Sequence, residues 1–431
     1  MKPEKKASMG DILVIGFAMF AMFFGAGNLI FPPYLGMVGG DQWFTGFLAF
    51  IIADGGLAVL TVLAMIRKDG SFWCVIDRIG DLPAKILASV AILTVGPMLC
   101  IPRTCATTFE MGIVPLFPGF NTWVFSIIFF GIVYLLTIRP SAVVDIIGKF
   151  LTPLLLIVLA VLVVIGIINP IGEIADVTLV DSIAKEGILA GYQTMDVLVS
   201  LAVTLMLVGN AARKGYNSKK ERMGVISKAS AVALLGLSLV YGGLTYLGAT
   251  TSSLGLGVGM NQTALVVMIT ETLLGKAGIV LLSVIVFFAC LTTAIGLVSA
   301  AADFFSELSN GRVKYGLLVA LICIFAAVIA NVGISMIIAL ASPVLNIIYP
   351  VLLTQTILSF FDDTIKNHNV NRCVTIGTIV MAIFGVLADI GAEAFLFVHS
   401  LPLAEYGFFW LVPAIVCGII GAFIPMQQPK A

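Results

Sequence analysis

Apolar residues in this chain come in long uninterrupted stretches, not in the alternating or half-turned patterns of a surface element. Twelve stretches stand out, at 11–38, 43–66, 82–112, 122–138, 143–168, 183–212, 225–250, 276–305, 314–332, 334–361, 374–390 and 403–423. About 20 apolar residues in helical conformation cross the hydrocarbon core of a bilayer. The expected fold class is therefore an all-α polytopic membrane protein with twelve transmembrane helices. Segment 261–274 is apolar but too short to cross, and predicts an external amphipathic or re-entrant helix. Lys2, Lys5 and Lys6 precede the first stretch as they would a signal peptide. The run continues to about Met37 with no small-residue cleavage site, so it is expected to stay as the first span.

Two stretches are interrupted. The first contains Phe23-Phe24-Gly25-Ala26-Gly27-Asn28-Leu29-Ile30-Phe31-Pro32-Pro33, and the sixth contains Ala190-Gly191-Tyr192-Gln193-Thr194-Met195-Asp196. Glycine, asparagine and proline are poor helix-interior residues. Lipid cannot satisfy a broken backbone, so each break should line a protected polar cavity. Five spans separate the breaks, which gives the two halves opposite topology. Paired breaks in inverted halves point to a small-molecule site at their interface. The expected organisation is one transmembrane domain over 1–424. Its first repeat is 11–168, its second 183–361, with two further helices in 374–423 and a cytoplasmic tail at 425–431.

Charge tests the count. Of 23 Lys and Arg, only Lys185 and Lys276 fall in one set of alternate loops and Arg103 within a span; the others gather on the opposite side. By the positive-inside rule both termini are cytoplasmic, in a bacterial inner or plasma membrane. Hydrophobic residues make up 60% of the chain, charged residues 11%, and mean hydropathy is +1.14, which excludes a soluble globular protein. None of the seven cysteines stands in a metal-ligand spacing, and the two histidines, His368 and His399, lie between spans. No Walker loop supports ATP drive, and no Ser/His pair within the spans supports an intramembrane hydrolase. Topology accounts for the basic loop after the sixth span, so no nucleic-acid partner is expected. The reading is a carrier, not an enzyme, with membrane lipids as its surroundings and no cofactor. Composition does not reveal the oligomeric state.

Candidate binding residues follow from the breaks. Asn28 carries a buried amide that requires partners. Asp196 lies inside an apolar helix and should face a cavity or a cation. Thr292 and Thr293, after Phe288-Ala289-Cys290-Leu291, place two hydroxyls beside a small residue; alone, they fit helix packing as well as cation binding. Asp54 and Arg103 are intramembrane charges that could bind substrate, relay protons or form a structural pair. Glu110 is expected to be solvated near the external interface. Lys149 is placed near the cytoplasmic end of its span.

The stretch from Asp11 to Pro33, with Ile101-Pro102-Arg103-Thr104 and Gly191-Tyr192-Gln193-Thr194-Met195-Asp196, resembles the system II carriers of the branched-chain amino acid:cation symporter family. The resemblance implies transport of leucine, isoleucine and valine with sodium or a proton. A more distant similarity is to sodium-coupled amino acid transporters with the LeuT-type 5+5 inverted repeat, in which helices 1 and 6 are discontinuous. Phe287-Phe288-Ala289-Cys290-Leu291-Thr292-Thr293 is similar to the helix 8 run that supplies sodium ligands there. That similarity implies a sodium site made by the carbonyls of Ala21, Phe24 and Ala289 and the hydroxyls of Thr292 and Thr293.

These expectations combine into sodium-coupled symport. The substrate carboxylate is expected at the amides around Gly25, Ala26 and Gly27, and its ammonium at carbonyls of the two breaks. Its side chain is expected against Phe23 and Met195. Asn28, Tyr192, Thr194 and Asp196 complete the substrate site. Proton coupling, a channel and a non-transporting amino acid sensor stay open as alternatives.

Overall fold

The computed structural model describes residues 6–425 except 69 and 139–141, with backbone alone at 74, 142–153, 201 and 202. Lys149 and the tail beyond 425 therefore lie outside the described side chains or residues. Among the described residues the protein is helical, with no strand. The helices are α1 (Met9–Phe23), α2 (Ala26–Gly39), α3 (Trp43–Ile51), α4 (Leu57–Ile66), α5 (Trp73–Ile76) and α6 (Asp81–Leu93). There follow α7 (Cys100–Thr108), α8 (Thr122–Ile138), α9 (Ala142–Ile168), α10 (Ile183–Thr194), α11 (Asp196–Arg213) and α12 (Lys219–Ala249). The last five are α13 (Gln262–Leu308), α14 (Tyr315–Ile329), α15 (Ile334–Ser359), α16 (His368–Asp389) and α17 (Leu411–Phe423).

Among the described residues seven helical runs are long and apolar enough to cross a membrane, and the bent run formed by α10 and α11 makes an eighth. Shorter apolar helices, α1, α8, α17 and Leu154–Ile168 of α9, accompany them. The 47-residue α13 is bent at Gly275, where φ is 63°. The short segment expected at 261–274 is thus set off from the long apolar helix after it.

Both expected breaks are present. α1 starts on a Ser8 cap that accepts from the Asp11 amide and stops at Phe23; Phe24 and Gly25 are extended before α2 begins. α10 ends at Met195, whose φ of 68° is left-handed, and α11 starts immediately after it. A non-glycine residue in that region stores ~1–3 kcal/mol of strain and persists only where its surroundings enforce it.

α12 is the strut that fixes the first break, because it packs against both α1 and α2. The approach is backbone to backbone. A Cβ on Gly36 would stand 1.8 Å from the Thr245 carbonyl oxygen, and one on Gly248 would stand 1.8 Å from the Pro33 carbonyl oxygen. α10 also approaches α3 and the turn after it closely: a Cβ on Gly187 would lie 2.6 Å from the Gly46 carbonyl oxygen, and one on Gly191 2.7 Å from Ala53 Cβ. Small residues of this kind let membrane helices gain dispersion energy that lipid cannot supply.

Three π-helical turns, Ile52–Gly56, Thr94–Met98 and Phe109–Ile113, interrupt the other helices near the site. The Asp54-Gly55-Gly56 and Gly96-Pro97 sequences explain two of them, since these residues weaken the regular α ladder. Asp54 and Glu110 lie within π turns, and Arg103 lies one turn beyond one, as is common at functional sites.

Overpacking at the α2–α12 contact should be costly. Gly248→Val is expected to destabilise the detergent-solubilised protein by about 3 kcal/mol or more. Gly224→Ala, at an open and exposed position of the same helix, should leave the thermal midpoint nearly unchanged. Equal midpoints for the two variants would contradict this contact.

Candidate substrate and ion site

The two breaks meet in one buried polar cluster. The Gly25 amide, which an unbroken α1 would direct to the Ala21 carbonyl, donates instead to Asn28 Oδ1 at 3.1 Å. The opposite end of the Asn28 side chain, Nδ2, faces three acceptors. Asp196 Oδ2 is 3.1 Å away, Asp54 Oδ2 is 3.5 Å away, and the Tyr241 hydroxyl is closer still. Thr194 Oγ1 donates to Asp54 Oδ1 at 2.6 Å, with the Gly191 carbonyl also at 2.6 Å. Asn28, Asp54, Thr194, Asp196 and Tyr241 are all buried. Five elements thus converge: α2, the π turn at 52–56, α10, α11 and α12.

Arg103 resolves what its sequence left open. It is buried, and its guanidinium is directed to backbone rather than to a carboxylate. Nη1 donates to the Gln193 carbonyl and Nη2 to the Thr194 carbonyl, the latter at 3.2 Å. A cation at the carbonyl end of α10 is favoured by the helix dipole. The two bonds, with the Thr194–Asp54 bond, hold the strained Met195 in place. The same guanidinium lies over the Phe31 ring and against Gly27, where an added Cβ would approach Nη2 to 3.0 Å. Arg103 Nε is buried with no hydrogen-bond partner.

This corrects one expectation. The span 6 carbonyls at Gln193 and Thr194 already accept from Arg103, whose positive charge disfavours a second cation such as an ammonium group at them. Glu110 is corrected too. It is half-buried, accepting from the Ile334 amide at 3.0 Å, from Asn261 Nδ2 at 3.3 Å and from the Thr263 hydroxyl. It clamps α15 and the start of α13 to the end of the third apolar stretch. An open cavity of about 890 Å³ adjoins it, between Val114, Val267, Glu271, Lys276 and Ile279.

The other expected residues fall as follows. Phe23 and Met195 are fully buried in the apolar core. Ala26 and Gly27 form the buried first turn of α2. Gly25 borders open space: a Cβ there would meet only Asn28 Oδ1, at 3.7 Å. Tyr192 packs its ring 4.6 Å from that of Tyr349, and neither hydroxyl has a partner. Thr292 and Thr293 both donate to the Ala289 carbonyl at 3.0 Å, gathering three oxygens of α13. Ala21 and Phe24 lie at the α1 end of the first break.

Sequence reasoning missed Tyr241 and the meeting of Asp54 with Asp196. The Asp-Gly-Gly interruption at 54–56 was a usable clue to the first carboxylate. Nothing distinguishes Tyr241 from an ordinary core aromatic until the fold brings Asn28 to its hydroxyl.

Comparison with known proteins bears on family and fold. A family model described as branched-chain amino acid transport protein matches residues 8–428. The chain belongs to this family. It is a transport protein, not an enzyme, and an integral membrane protein. The branched-chain amino acid permease BraB of Bacillus subtilis (strain 168) is 34% identical over 425 residues, spanning 95% of this chain and 94% of that protein. The permease BrnQ of Escherichia coli (strain K12) is 34% identical over 419 residues, with coverages of 95% and 94%. Among solved structures, inward-facing Mhp1 aligns with a TM-score of 0.62 at 15% identity, covering 95% of this chain and 90% of its own. A Na+-coupled sialic acid symporter, outward-open with substrate, aligns with a TM-score of 0.62 at 17% identity, covering 97% and 91%. These two likenesses show the fold.

Arg103→Lys should cost about 1.5–3 kcal/mol of stability, the worth of one charge-assisted hydrogen bond. An ammonium cannot reproduce the fork that serves two successive carbonyls. A thermal midpoint equal to that of the unaltered protein would show that the cap on α10 is dispensable.

Proposed function

We propose that the chain is a secondary active symporter that imports leucine, isoleucine and valine with sodium across a bacterial plasma membrane. The observation that carries the reading is the single buried polar cluster in which both interrupted helices end. Twelve transmembrane helices, two inverted repeats of five and cytoplasmic termini are part of this proposal. The charge distribution of the loops and the likeness to solved transporter folds support them.

The substrate's carboxylate meets the first-turn amides of α2 at Ala26 and Gly27, where the helix dipole favours an anion. The Arg103 guanidinium beside Gly27 adds a positive charge there. The ammonium faces the Asp54–Asp196 pair, since Arg103 already holds the nearby carbonyls. The aliphatic side chain fills apolar space bounded by Phe23 and Met195, with Tyr192 closing it. Sodium bridges α1 to α13 through the carbonyls of Ala21, Phe24 and Ala289 and the hydroxyls of Thr292 and Thr293. Withdrawal of the Gly25 amide from Ala21 and the clustering of three α13 oxygens support that assignment. Ion occupancy then favours one arrangement of the helices, and substrate binds that arrangement better.

The driving force suffices. One charge entering down 100 mV supplies about 2.3 kcal/mol, and a tenfold sodium gradient adds about 1.4 kcal/mol. Together they support accumulation of several hundredfold.

Purified protein in proteoliposomes should accumulate labelled leucine above the external concentration when sodium is higher outside. Equilibration without accumulation would indicate a channel, and binding without uptake a sensor. Accumulation driven by a pH gradient alone would shift the coupling to protons. In the same assay, replacing both Thr292 and Thr293 with alanine should raise the sodium concentration for half-maximal uptake at least about tenfold, the loss of about 1.4 kcal/mol of ion binding. Preference among the three substrates should hardly change. Unaltered sodium activation would remove the helix 8 assignment.

Gly25→Leu should abolish leucine binding while the protein still inserts and folds. The Gly25 φ of −118° suits any residue, and the added side chain would enter the open space of the break. Normal uptake by that variant would contradict the substrate placement.

A further inference from the structure

We propose that Asp54 and Asp196 hold one proton between them when no cation occupies the site, and that entry of a monovalent cation expels this proton to water. The proposal deepens the transport reading and rests on it for the cations in question, the substrate's ammonium or a sodium ion at the pair additional to the one between α1 and α13.

The geometry begins with Asn28 Nδ2, which lies 3.1 Å from Asp196 Oδ2 and 3.5 Å from Asp54 Oδ2. One amide nitrogen thus bridges the two carboxyl groups. Asp54 is 0% exposed and Asp196 3%. Two carboxylates so placed in a buried site do not both ionise unless a cation joins them. Arg103 is the one buried basic side chain among the described residues, and its Nη atoms are turned to the Gln193 and Thr194 carbonyls. The other titratable groups facing the pair are Tyr241 of α12, Tyr349 of α15 and Cys100 of α7, none of which can carry a positive charge.

Counting hydrogens leads to the same place. Asn28 brings two N–H groups to three acceptors, and the Thr194 hydroxyl is divided between Asp54 and the Gly191 carbonyl. Three of the four carboxylate oxygens each receive one donor, from Thr194 or Asn28, fewer than the lone pairs that two ionised carboxylates present. One O–H between the carboxyl groups closes the network. The buried Tyr349 hydroxyl, which makes no hydrogen bond of good geometry, lies within electrostatic reach of both carboxylates.

The exchange conserves charge. A carboxyl–carboxylate pair carries one negative charge. After the O–H bond breaks and the proton leaves to water, two carboxylates and one bound cation carry the same charge. With sodium as the cation no new net charge is buried; leucine also brings its carboxylate, and that further negative charge is set against the buried Arg103 guanidinium. Because the protonated pair opposes cation binding, affinity rises with pH for as long as the free site is protonated.

The test uses the full-length protein in nanodiscs, in weak buffer with a pH-indicator dye. One arm adds leucine without sodium, one adds sodium without leucine, and one adds both. About one proton should be released per protein in at least one single-ligand arm, and that arm names the cation. The apparent Kd of that ligand should fall about tenfold per pH unit. Asp54→Asn should abolish the release and flatten the pH dependence, and Asp54→Glu should restore both. Binding with no proton release and no pH dependence overturns the proposal.

If leucine does not bind at all, the transport reading fails separately. The pair is still read by infrared spectroscopy on the unaltered protein. A protonated-carboxyl band that disappears on raising pH or adding sodium supports the proposal, and absence of that band overturns it even where the variants fail to fold.

Discussion

The structure turns on the side chain of Asn28. Its carbonyl oxygen takes the Gly25 amide and so keeps the first break open; its amide nitrogen joins that break to the Asp196 end of the second. A neutral amide is suited to this because it offers an acceptor and two donors on opposite ends of one short side chain. A charged residue there would add a third ion to a centre that already holds two acids and, nearby, one guanidinium. The site therefore depends on a group that organises charge without carrying any.

The remaining charges divide the work. Arg103 satisfies carbonyls where α10 ends, which lets Met195 hold a left-handed conformation and sends α11 off with Asp196 at its first position. Asp54 enters from a π turn that two glycines make possible. Around them the close glycine contacts of α12 and α10 fix backbones against one another. A carrier needs this combination. Rigid contacts keep backbones in register, and a small polar centre joins the elements that a ligand would have to hold together.

Much of this was legible in the chain, because some constraints are local. Gly25, Asn28, Pro32 and Pro33 cannot continue a membrane helix without compensation, so the first break and its amide-rich start were visible as residues. The second break was visible through Gly191 and the buried Asp196. Asp54 and Arg103 were visible as costly intramembrane charges, but not their partners, since a charge in an apolar stretch shows only that something must compensate it. Glu110 was misjudged as solvated for the same reason. Its partners, Asn261, Thr263 and Ile334, lie more than 140 residues away along the chain.

Sequence by itself determined that this protein is a helical membrane protein with two broken helices, because hydrophobicity and helix propensity act over neighbouring residues. Only the tertiary structure decided which groups meet at the breaks. Arg103 caps the carbonyls that were expected to be open, Tyr241 joins the amide of Asn28, and Asp54 faces Asp196. Hydrogen bonds of 3 Å between residues tens to hundreds of positions apart depend on how helices pack, and packing between membrane helices is set by small-residue contacts whose partners no local pattern names.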